Sequence, residues 1–213
     1  GMMPIDRLNH MRADHKQLHE VLANLTEDEK KAGLPFSVAG ISLVFHPHNP
    51  HHPTVHANYR MFQIHTDTIK HKNIRLGHDG DDVDSGSIYW FGGGADLTPT
   101  YIASEGENSV YGKHFHQIHK DVLDAKTALL KNQLKLPNNA SFYEHTKKWA
   151  DEYFYLPHRG ETRGLGGIFY DDFDSHSTGL SQSQMFEIVC ALGDAFAPAE
   201  AAAVRGAERI ARE

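Results

Sequence analysis

Two stretches of the chain decide the fold: Gly40-Ile41-Ser42-Leu43-Val44-Phe45 and Val55-His56-Ala57-Asn58-Tyr59-Arg60-Met61-Phe62-Gln63-Ile64. Both are rich in residues that favour β-strands, and the pattern is interrupted between them at Pro47, Pro50 and Pro53. Because proline cannot donate a hydrogen bond to a neighbouring strand, the prolines mark a connecting loop. The pattern predicts an antiparallel hairpin.

Further predicted elements lie on both sides of this hairpin. Apolar residues at spacings of three and four predict an amphipathic helix over 8–25, and the run at 88–91 predicts a third strand. The remaining predictions are a strand at 167–170 and helices at 104–134, 142–155, 181–196 (with Ser181 as N-cap) and 200–213. Because strands cluster early and helices late, we expect one α+β domain over residues 1–213. The near-continuous apolarity of 40–45 indicates a sheet covered by helices on both faces.

The composition narrows the class of protein. The chain has 213 residues, one cysteine and 17 histidines, and its formal net charge is −7. A single cysteine cannot form an internal disulfide, and an acidic chain without a basic run is a poor partner for nucleic acid. No apolar stretch approaches the roughly 18 residues of a membrane helix, and the first residues lack the apolar core of a signal peptide. We therefore expect a cytoplasmic globular protein with no membrane span and no nucleic-acid partner.

One face of the predicted hairpin is polar. Side chains alternate along a strand, so Ser42 and His46 share one face of the first strand, and His56, Asn58 and Arg60 share one face of the second. An arginine within a run that otherwise looks buried needs an anionic partner. We expect this face to meet a ligand, while the alternative is a face that is only solvated.

A glycine-rich segment follows the third strand: Trp90-Phe91-Gly92-Gly93-Gly94-Ala95-Asp96-Leu97-Thr98-Pro99. Three consecutive glycines permit positive φ angles and a close approach of the backbone to a ligand. Asp96 would then leave a rigid turn as a positioned carboxylate. A plain turn in which Asp96 caps local amides explains the pattern equally well. No lysine follows as in a P-loop, so a nucleotide is not expected.

A basic segment occupies the region from His158 to Gly167 and includes Arg159 and Arg163. Two arginines and a histidine suit the binding of carboxylates, because a guanidinium matches a carboxylate bidentately. A solvated charged loop explains the segment equally well. Nearby on the predicted helix, His114 and His116 lie two residues apart and hence on different faces, so at most one of them points at a given site.

Together these motifs resemble the oxygen-dependent coproporphyrinogen III oxidase family. The resemblance rests on the hairpin motifs at 42–50 and 53–60, the glycine-rich segment at 90–99, and Lys147-Lys148-Trp149-Ala150-Asp151-Glu152-Tyr153-Phe154 with the following His158-Arg159 and Gly166-Gly167-Ile168-Phe169-Tyr170-Asp171-Asp172. The motifs stand in the family's order, and the resemblance covers roughly residues 33–196.

The resemblance implies a cytosolic enzyme of haem biosynthesis. Such an enzyme oxidatively decarboxylates two propionate side chains of coproporphyrinogen III to vinyl groups and so forms protoporphyrinogen IX. Dioxygen would be the co-substrate, no organic cofactor is implied, and the need for a divalent metal is left open. The resemblance also implies a homodimer with a large, flat antiparallel sheet flanked by helices.

The resemblance also implies roles for individual residues. His56 matches a proposed proton donor, and Asp96 with Arg60 matches a pair that orients and activates the pyrrole. Arg60 can hold a propionate carboxylate, and Asp96 can accept a hydrogen bond from a pyrrole N–H. The implied substrate contacts are Ser42, Asn58, Tyr59, Arg60, Gly93, Gly94 and Arg163. The implied metal ligands are His46, His56, His116 and His158.

The sequence departs from the family pattern at both ends. The family has a longer region before Ser42, and it has further strands and a glycine-rich loop where this chain has an alanine-rich helix after Phe196. Two explanations stay open: the chain is a shortened homologue, or further segments of the protein lie outside this sequence. Two other functions stay open: a shortened homologue that binds a tetrapyrrole without converting it, and a histidine-rich metal-binding domain unrelated to tetrapyrroles.

Overall fold

A five-stranded antiparallel sheet organises the part of the chain that the structure describes. The computed structural model covers residues 1–11, 15–66, 69, 87–100, 110–137 and 140–210. The strands of the sheet are Met2–Met3 (β1), Leu34–Phe45 (β2), Thr54–His65 (β3), Ser87–Thr98 (β4) and Gly167–Phe173 (β7), in the spatial order β1-β2-β3-β4-β7, while Tyr155–Leu156 (β5) pairs separately with Glu161–Thr162 (β6). The helices are Ile5–Met11 (α1), Lys16–Ala23 (α2), Glu27–Ala32 (α3), Val110–Thr127 (α4), Phe142–Tyr153 (α5), Ser175–Thr178 (α6) and Gln182–Ile210 (α7). The predicted α+β class is confirmed.

The register of the strands places polar groups side by side. Ser42 of β2 lies opposite Asn58 of β3, and His56 of β3 lies opposite Asp96 of β4. Because alternate residues of a strand share a face, two faces can be defined. The polar face is formed by Ser42, Val44, His56, Asn58, Arg60, Gly92, Gly94 and Asp96. The apolar face is formed by Leu43, Val55, Ala57, Tyr59, Phe91, Gly93, Ala95 and Leu97.

Helices α4 and α7 cover the apolar face. Tyr59 reaches across this layer, and its hydroxyl donates a hydrogen bond to the carbonyl oxygen of Leu192 in α7 at 3.1 Å. Burial raises the pKa of Tyr59 above its ordinary value, so the phenol stays neutral. The core beneath this face includes Phe91, Phe115 and Ile188, each almost completely buried. This layer is the main hydrophobic core.

A second, smaller core lies at one end of the opposite side of the sheet. Phe62 stacks between Phe36 and Trp90, with ring centroids 5.5 and 4.5 Å away. Leu8 of α1 and Leu18 of α2 pack into the same cluster. Helices therefore lie on both sides of the sheet, as predicted, but the described residues cover only this end of the second side. The polar face lies beyond the covered end.

Several element boundaries differ from the predictions. Two helices, α1 and α2, occupy the region predicted as one helix over 8–25, and residues 12–14 lie outside the described part. The predicted helices at 181–196 and 200–213 are a single helix, α7, which continues through Pro198. Its alanine-rich end packs against the core, because Ala199 and Ala203 are fully buried. Ser181 caps α7 as predicted, since its hydroxyl accepts a hydrogen bond from the Gln184 amide at 3.3 Å.

The third predicted strand is much longer than expected. It was predicted to end at residue 91, whereas β4 continues through the glycines to Thr98. Among the described helices, none is both long and apolar enough to cross a membrane.

Candidate active site

Two of three consecutive glycines, Gly92 and Gly94, belong to the polar face, while Gly93 belongs to the apolar face. Gly92, Gly93 and Gly94 belong to the extended strand β4, and none of them has a positive φ. The predicted glycine turn is therefore wrong. Lack of room for a side chain explains the glycine at position 92. A Cβ atom there would collide with the Asp171 carboxylate and would lie 2.8 Å from the Nε atom of Arg60.

The first charged cluster of the polar face surrounds Asp96. Its side chain is buried, and its Oδ2 atom accepts hydrogen bonds from His56 Nδ1 at 2.7 Å and from an Arg163 guanidinium nitrogen at 2.8 Å. Two donors on one oxygen fix the position of this carboxylate. The bond to Asp96 also places the proton of a neutral His56 on Nδ1, which makes Nε2 the basic nitrogen.

A second charged cluster surrounds Arg60. One terminal nitrogen of its guanidinium donates to Asn58 Oδ1 at 2.8 Å, and the other donates to Asp171 Oδ2 at 2.7 Å. The Arg60 side chain is 42% exposed, so a solvent-borne anion can reach it. Asp171 is the anionic partner that an arginine in this strand requires.

A β-bulge brings Asp171 to Arg60. Phe91 pairs with Phe173 and Gly93 pairs with Tyr170, so Asp171 and Asp172 together stand opposite Gly92. Such an extra residue bends the strand and redirects side chains. Asp172 has a φ of 52°, in the left-handed region that residues other than glycine rarely adopt.

Aromatic rings border the polar face next to Arg163. The guanidinium carbon of Arg163 lies 3.9 Å from the centroid of the Phe154 ring, a cation–π contact. Phe154 in turn packs against Phe169 of β7, and Tyr153 stacks on Phe169 with a centroid distance of 4.5 Å. The stacking holds Arg163 in place beside Asp96 and forms one wall of the site.

The two charged clusters lie on the same face but do not touch in the described structure. His56 and Arg60 are four residues apart along β3, which corresponds to roughly 13 Å. Asp96 pairs with His56 and Arg163, whereas Arg60 pairs with Asp171. The arrangement can therefore hold two separate polar groups of one flat ligand.

This chain matches the model of a known protein family over most of its length. The model of the family described as coproporphyrinogen III oxidase matches residues 3–210. The chain belongs to the coproporphyrinogen III oxidase family. The resemblance that the motifs predicted is thus confirmed.

Individual relatives agree with the family match. The chain is 35% identical over 198 residues to the mitochondrial oxygen-dependent coproporphyrinogen-III oxidase of Mus musculus, covering 93% of this chain and 34% of that protein. The chloroplastic oxygen-dependent coproporphyrinogen-III oxidase of Glycine max is 40% identical over 171 residues, with 80% and 37% covered. The oxygen-dependent coproporphyrinogen-III oxidase of Drosophila melanogaster is 35% identical over 205 residues, with 96% and 40% covered. The chain spans between about a third and two fifths of the length of these relatives.

Most of the site residues predicted from the family resemblance meet on the polar face. The structure brings together Ser42, His56, Asn58, Arg60, Gly94, Asp96 and Arg163. Tyr59 and Gly93 are not among them, because both belong to the apolar face. The Tyr59 hydroxyl contacts α7 on the far side of the sheet, so its assignment as a substrate contact is not supported by its position.

The four histidines predicted as metal ligands do not converge. His116 Nε2 donates to the Leu165 carbonyl oxygen at 2.9 Å, while His56 is bonded to Asp96 and both His46 and His158 are exposed. Among the described residues, no group of three or more His, Cys, Asp or Glu side chains could hold a metal ion. These residues therefore do not fit a metal centre as they stand.

Sequence reasoning did not identify Asp171 as the partner of Arg60. A signal for it existed, because an arginine in a largely buried strand calls for a carboxylate. Asp171 also borders a cavity of about 860 Å³ between α5 and the end of β7, lined by Trp149, His145 and Phe173 among others. The cavity is not lined by His56, Arg60, Asp96 or Arg163, which lie on the polar face instead.

Proposed function

We propose that the polar face binds coproporphyrinogen III and supports its oxygen-dependent conversion to protoporphyrinogen IX. One observation carries this proposal: Asp96 is held by His56 and Arg163 on the same face of the sheet that presents the partly exposed Arg60. A flat tetrapyrrole with carboxylate side chains needs such a surface, with an acceptor for its pyrrole N–H groups and a cation for a propionate. The family relationship supports the same assignment.

The reaction balances without an organic cofactor. Each propionate group, R–CH2–CH2–COOH, reacts with one dioxygen to give R–CH=CH2, carbon dioxide and hydrogen peroxide. The electron-rich tetrapyrrole supplies both electrons, and dioxygen accepts them. The protein then has to bind and orient the ring and move protons.

Arg60 is the proposed binding group for a propionate. Its guanidinium has five N–H donors, and Asn58 and Asp171 each accept one of them. The remaining donors can form a charge-assisted bond to a carboxylate. Asp171 and Asn58 meanwhile fix the plane of the guanidinium.

Asp96 and His56 are the proposed acid–base groups. The Asp96 carboxylate can accept a hydrogen bond from a pyrrole N–H and stabilise positive charge on the ring as it loses electrons. His56, bonded to Asp96 through Nδ1, can exchange a proton through Nε2. Ser42 lies opposite Asn58 at the rim of this face, where it can contact the substrate.

We also propose that the chain acts as a homodimer in the cytoplasm. Large apolar side chains of β2 support self-association, because Val38, Ile41 and Phe45 are each more than half exposed in the described structure. Light scattering after size exclusion tests the dimer. The cytoplasmic location rests on the sequence composition, and fractionation of cells that produce the protein tests it.

An oxygen-addition experiment tests the proposed activity. The protein is mixed with coproporphyrinogen III without oxygen, and oxygen is then added while peroxide and carbon dioxide are measured. Mass spectrometry of the tetrapyrrole after complete oxidation to porphyrins counts the carboxyl groups that were lost. We expect two to be lost, with peroxide in proportion. Samples without protein correct for spontaneous oxidation.

The same experiment separates the alternatives. Tight binding of the tetrapyrrole without loss of carboxyl groups would contradict the enzyme and favour a binding protein. Absence of both binding and turnover would contradict any tetrapyrrole function for this chain.

A further inference from the structure

His15 lies buried at the edge of the polar face, although nothing in the proposed reaction uses it. It precedes α2 as the N-cap residue and is only 2% exposed. Its ring stacks on Trp90 of β4 with a centroid distance of 4.0 Å. Nε2 lies 3.1 Å from Asp172 Oδ1, and Nδ1 lies 3.9 Å from Asp174 Oδ2. A histidine is thus enclosed by one ring and two carboxylates.

The surroundings of His15 favour its charged form. Burial opposes the charge, but the hydrogen bond to Asp172 and the negative charges of Asp172 and Asp174 outweigh burial and raise the pKa of His15 to about 9. Burial also disfavours ionisation of Asp174, yet the nearby charge of His15 and the hydrogen bond from the Ser177 amide lower its pKa overall. His15 is therefore an imidazolium at neutral pH, and it donates to Asp172.

The residue that His15 contacts has a strained backbone. Asp172 has a φ of 52° within the bulge of β7. Left-handed conformations of non-glycine residues persist only where their surroundings stabilise them. The contact with His15 is such a stabilising interaction, and the Asp172 side chain has no comparable cation elsewhere in the described structure.

Covalent and hydrogen-bonded links then lead from Asp172 to Arg60. The backbone amide of Asp172 donates to Asp171 Oδ1 at 3.1 Å. The other oxygen of Asp171 accepts from Arg60 at 2.7 Å. If Asp172 turned to an ordinary negative φ, its amide would leave Asp171, and Asp171 would lose the orientation that holds Arg60.

We propose that His15 is a positioning residue for Arg60: by binding Asp172, it holds the bulge of β7 in the conformation that aims Asp171 at the Arg60 guanidinium. The inference deepens the proposed function, and it rests on that function only in taking Arg60 as the group that binds a substrate carboxylate. His15 acts through Asp172 and Asp171 and does not touch the ligand.

A purely structural role for His15 predicts a different result. If His15 only attached α2 to the sheet, its replacement would lower stability and leave Arg60 unchanged in the folded molecules. A matched control is His119 in α4, which is fully buried, bonded to the Phe115 carbonyl oxygen and packed in the core under the apolar face. Its replacement by glutamine perturbs a buried histidine without approaching Arg60.

The first measurement observes Arg60 directly and needs no activity. Nitrogen-15 NMR reports whether the guanidinium of Arg60 rotates freely, and the signals are assigned by their loss in Arg60→Lys. We expect separate, slowly exchanging terminal N–H signals in the parent and in His119→Gln, and averaged signals in His15→Gln and Asp172→Asn. Retention of separate signals in folded His15→Gln would overturn the proposal.

The second measurement uses coproporphyrin III, a stable oxidised analogue, and follows its fluorescence on binding. We expect His15→Gln to weaken binding about tenfold, a size typical of coupled contacting residues. Asp172→Asn should have the same effect, and the double variant should be no weaker than either. His119→Gln should bind within about twofold of the parent once the folded fraction is corrected. If the losses of binding free energy in the two single variants added up in the double variant, His15 and Asp172 would act independently. That result would contradict the proposal that His15 acts on Arg60 through Asp172.

The parent protein gives a third test that does not depend on any variant folding. The described charged groups that face His15 are the carboxylates of Asp172 and Asp174, while Trp90 carries no charge. Binding in the parent should weaken as the pH rises through about 9, and His15→Gln or Asp172→Asn should lack this step. An unchanged step in both variants would contradict the proposal. Absence of turnover in a parent that shows these effects would contradict only the proposed function.

Discussion

The two faces of strands β3 and β4 use the same backbone for different purposes. On the apolar face, Val55 and Ala57 alternate with the polar-face residues His56 and Asn58 along one strand. The apolar face is sealed by α4 and α7, whereas the polar face carries paired charges that are partly exposed. The difference shows that core residues and charged residues alternate along the same strands. Mutations on the two faces should therefore separate the two properties.

The largest expected effect is a loss of stability on the apolar face. Phe91→Ala removes a side chain that is 1% exposed, and it should lower the free energy of unfolding by about 3–5 kcal/mol because it leaves a cavity. Urea denaturation measures this. Phe186→Ala, at a residue that is 55% exposed, should change stability by less than about 0.5 kcal/mol. Equal effects of the two variants would show that the apolar face is not the main core.

The next largest effect concerns turnover on the polar face. Asp96→Asn keeps the shape of the side chain but cannot accept a proton or stabilise positive charge on the pyrrole. Turnover should fall by roughly 10²-fold, or about 2.7 kcal/mol, while binding of coproporphyrin III stays near that of the parent. Initial rates and fluorescence titration measure the two quantities. Asp194→Asn, at an exposed position of α7, is the control. Normal turnover in Asp96→Asn would show that Asp96 takes no part in the reaction.

Arg60→Lys should affect binding more than folding. Lysine keeps the charge but loses the planar fork that contacts Asn58 and Asp171, so binding of coproporphyrin III should weaken by about 1–3 kcal/mol. Fluorescence titration measures the dissociation constant. Arg205→Lys, on the exposed surface of α7, should bind like the parent. Unchanged binding in Arg60→Lys would show that Arg60 does not hold the ligand.

The smallest effect per measured step is a pH dependence of stability, which has opposite signs for two buried histidines. Burial lowers the pKa of His119, beneath the apolar face, to about 4, so stability should fall as the pH drops below about 6.5, where the unfolded chain takes up a proton first. His15 has a raised pKa, so its stabilisation is complete below about 6.5 and is lost as the pH rises to about 9.

The expected slopes are about 1 kcal/mol per pH unit between the folded and unfolded pKa values, with opposite signs on the two sides of neutrality. Urea denaturation between pH 4.5 and 9.5 measures them. His119→Gln should remove the acidic slope and His15→Gln the alkaline one. Loss of the alkaline slope in His119→Gln, or of the acidic slope in His15→Gln, would contradict the charge states assigned to the two histidines.

The local pattern was enough to predict the hairpin and its polar face. Strand alternation placed His56, Asn58 and Arg60 together because period two is a property of any strand. The glycine run was misread as a turn, since glycine is common where the chain reverses. A side chain at these positions would collide with groups distant in sequence: the Asp171 carboxylate at Gly92, the Asn58 carbonyl oxygen at Gly93 and the Ile168 carbonyl oxygen at Gly94. No local pattern reports such a contact.

The remaining site features depend on contacts between distant segments. At the bulge, Asp172 has a positive φ and contacts His15 from the N-terminal region, and neither residue type predicts the other. The predicted metal ligands came from resemblance alone. His116 is directed to the Leu165 carbonyl because of how α4 packs, which spacing along the helix does not determine.

The three glycines of β4 have a consequence that lies in the unfolded chain. Glycine has more backbone conformations to lose on folding than any other residue, and within a strand each costs roughly 0.5–1 kcal/mol relative to alanine. The close packing of neighbouring groups against Gly92 and Gly94 is therefore opposed by about 1–2 kcal/mol of chain entropy. That cost appears in none of the contacts of the folded protein. Gly92→Ala would leave the unfolded chain less disordered while displacing the paired side chains of Arg60 and Asp171 in the folded protein.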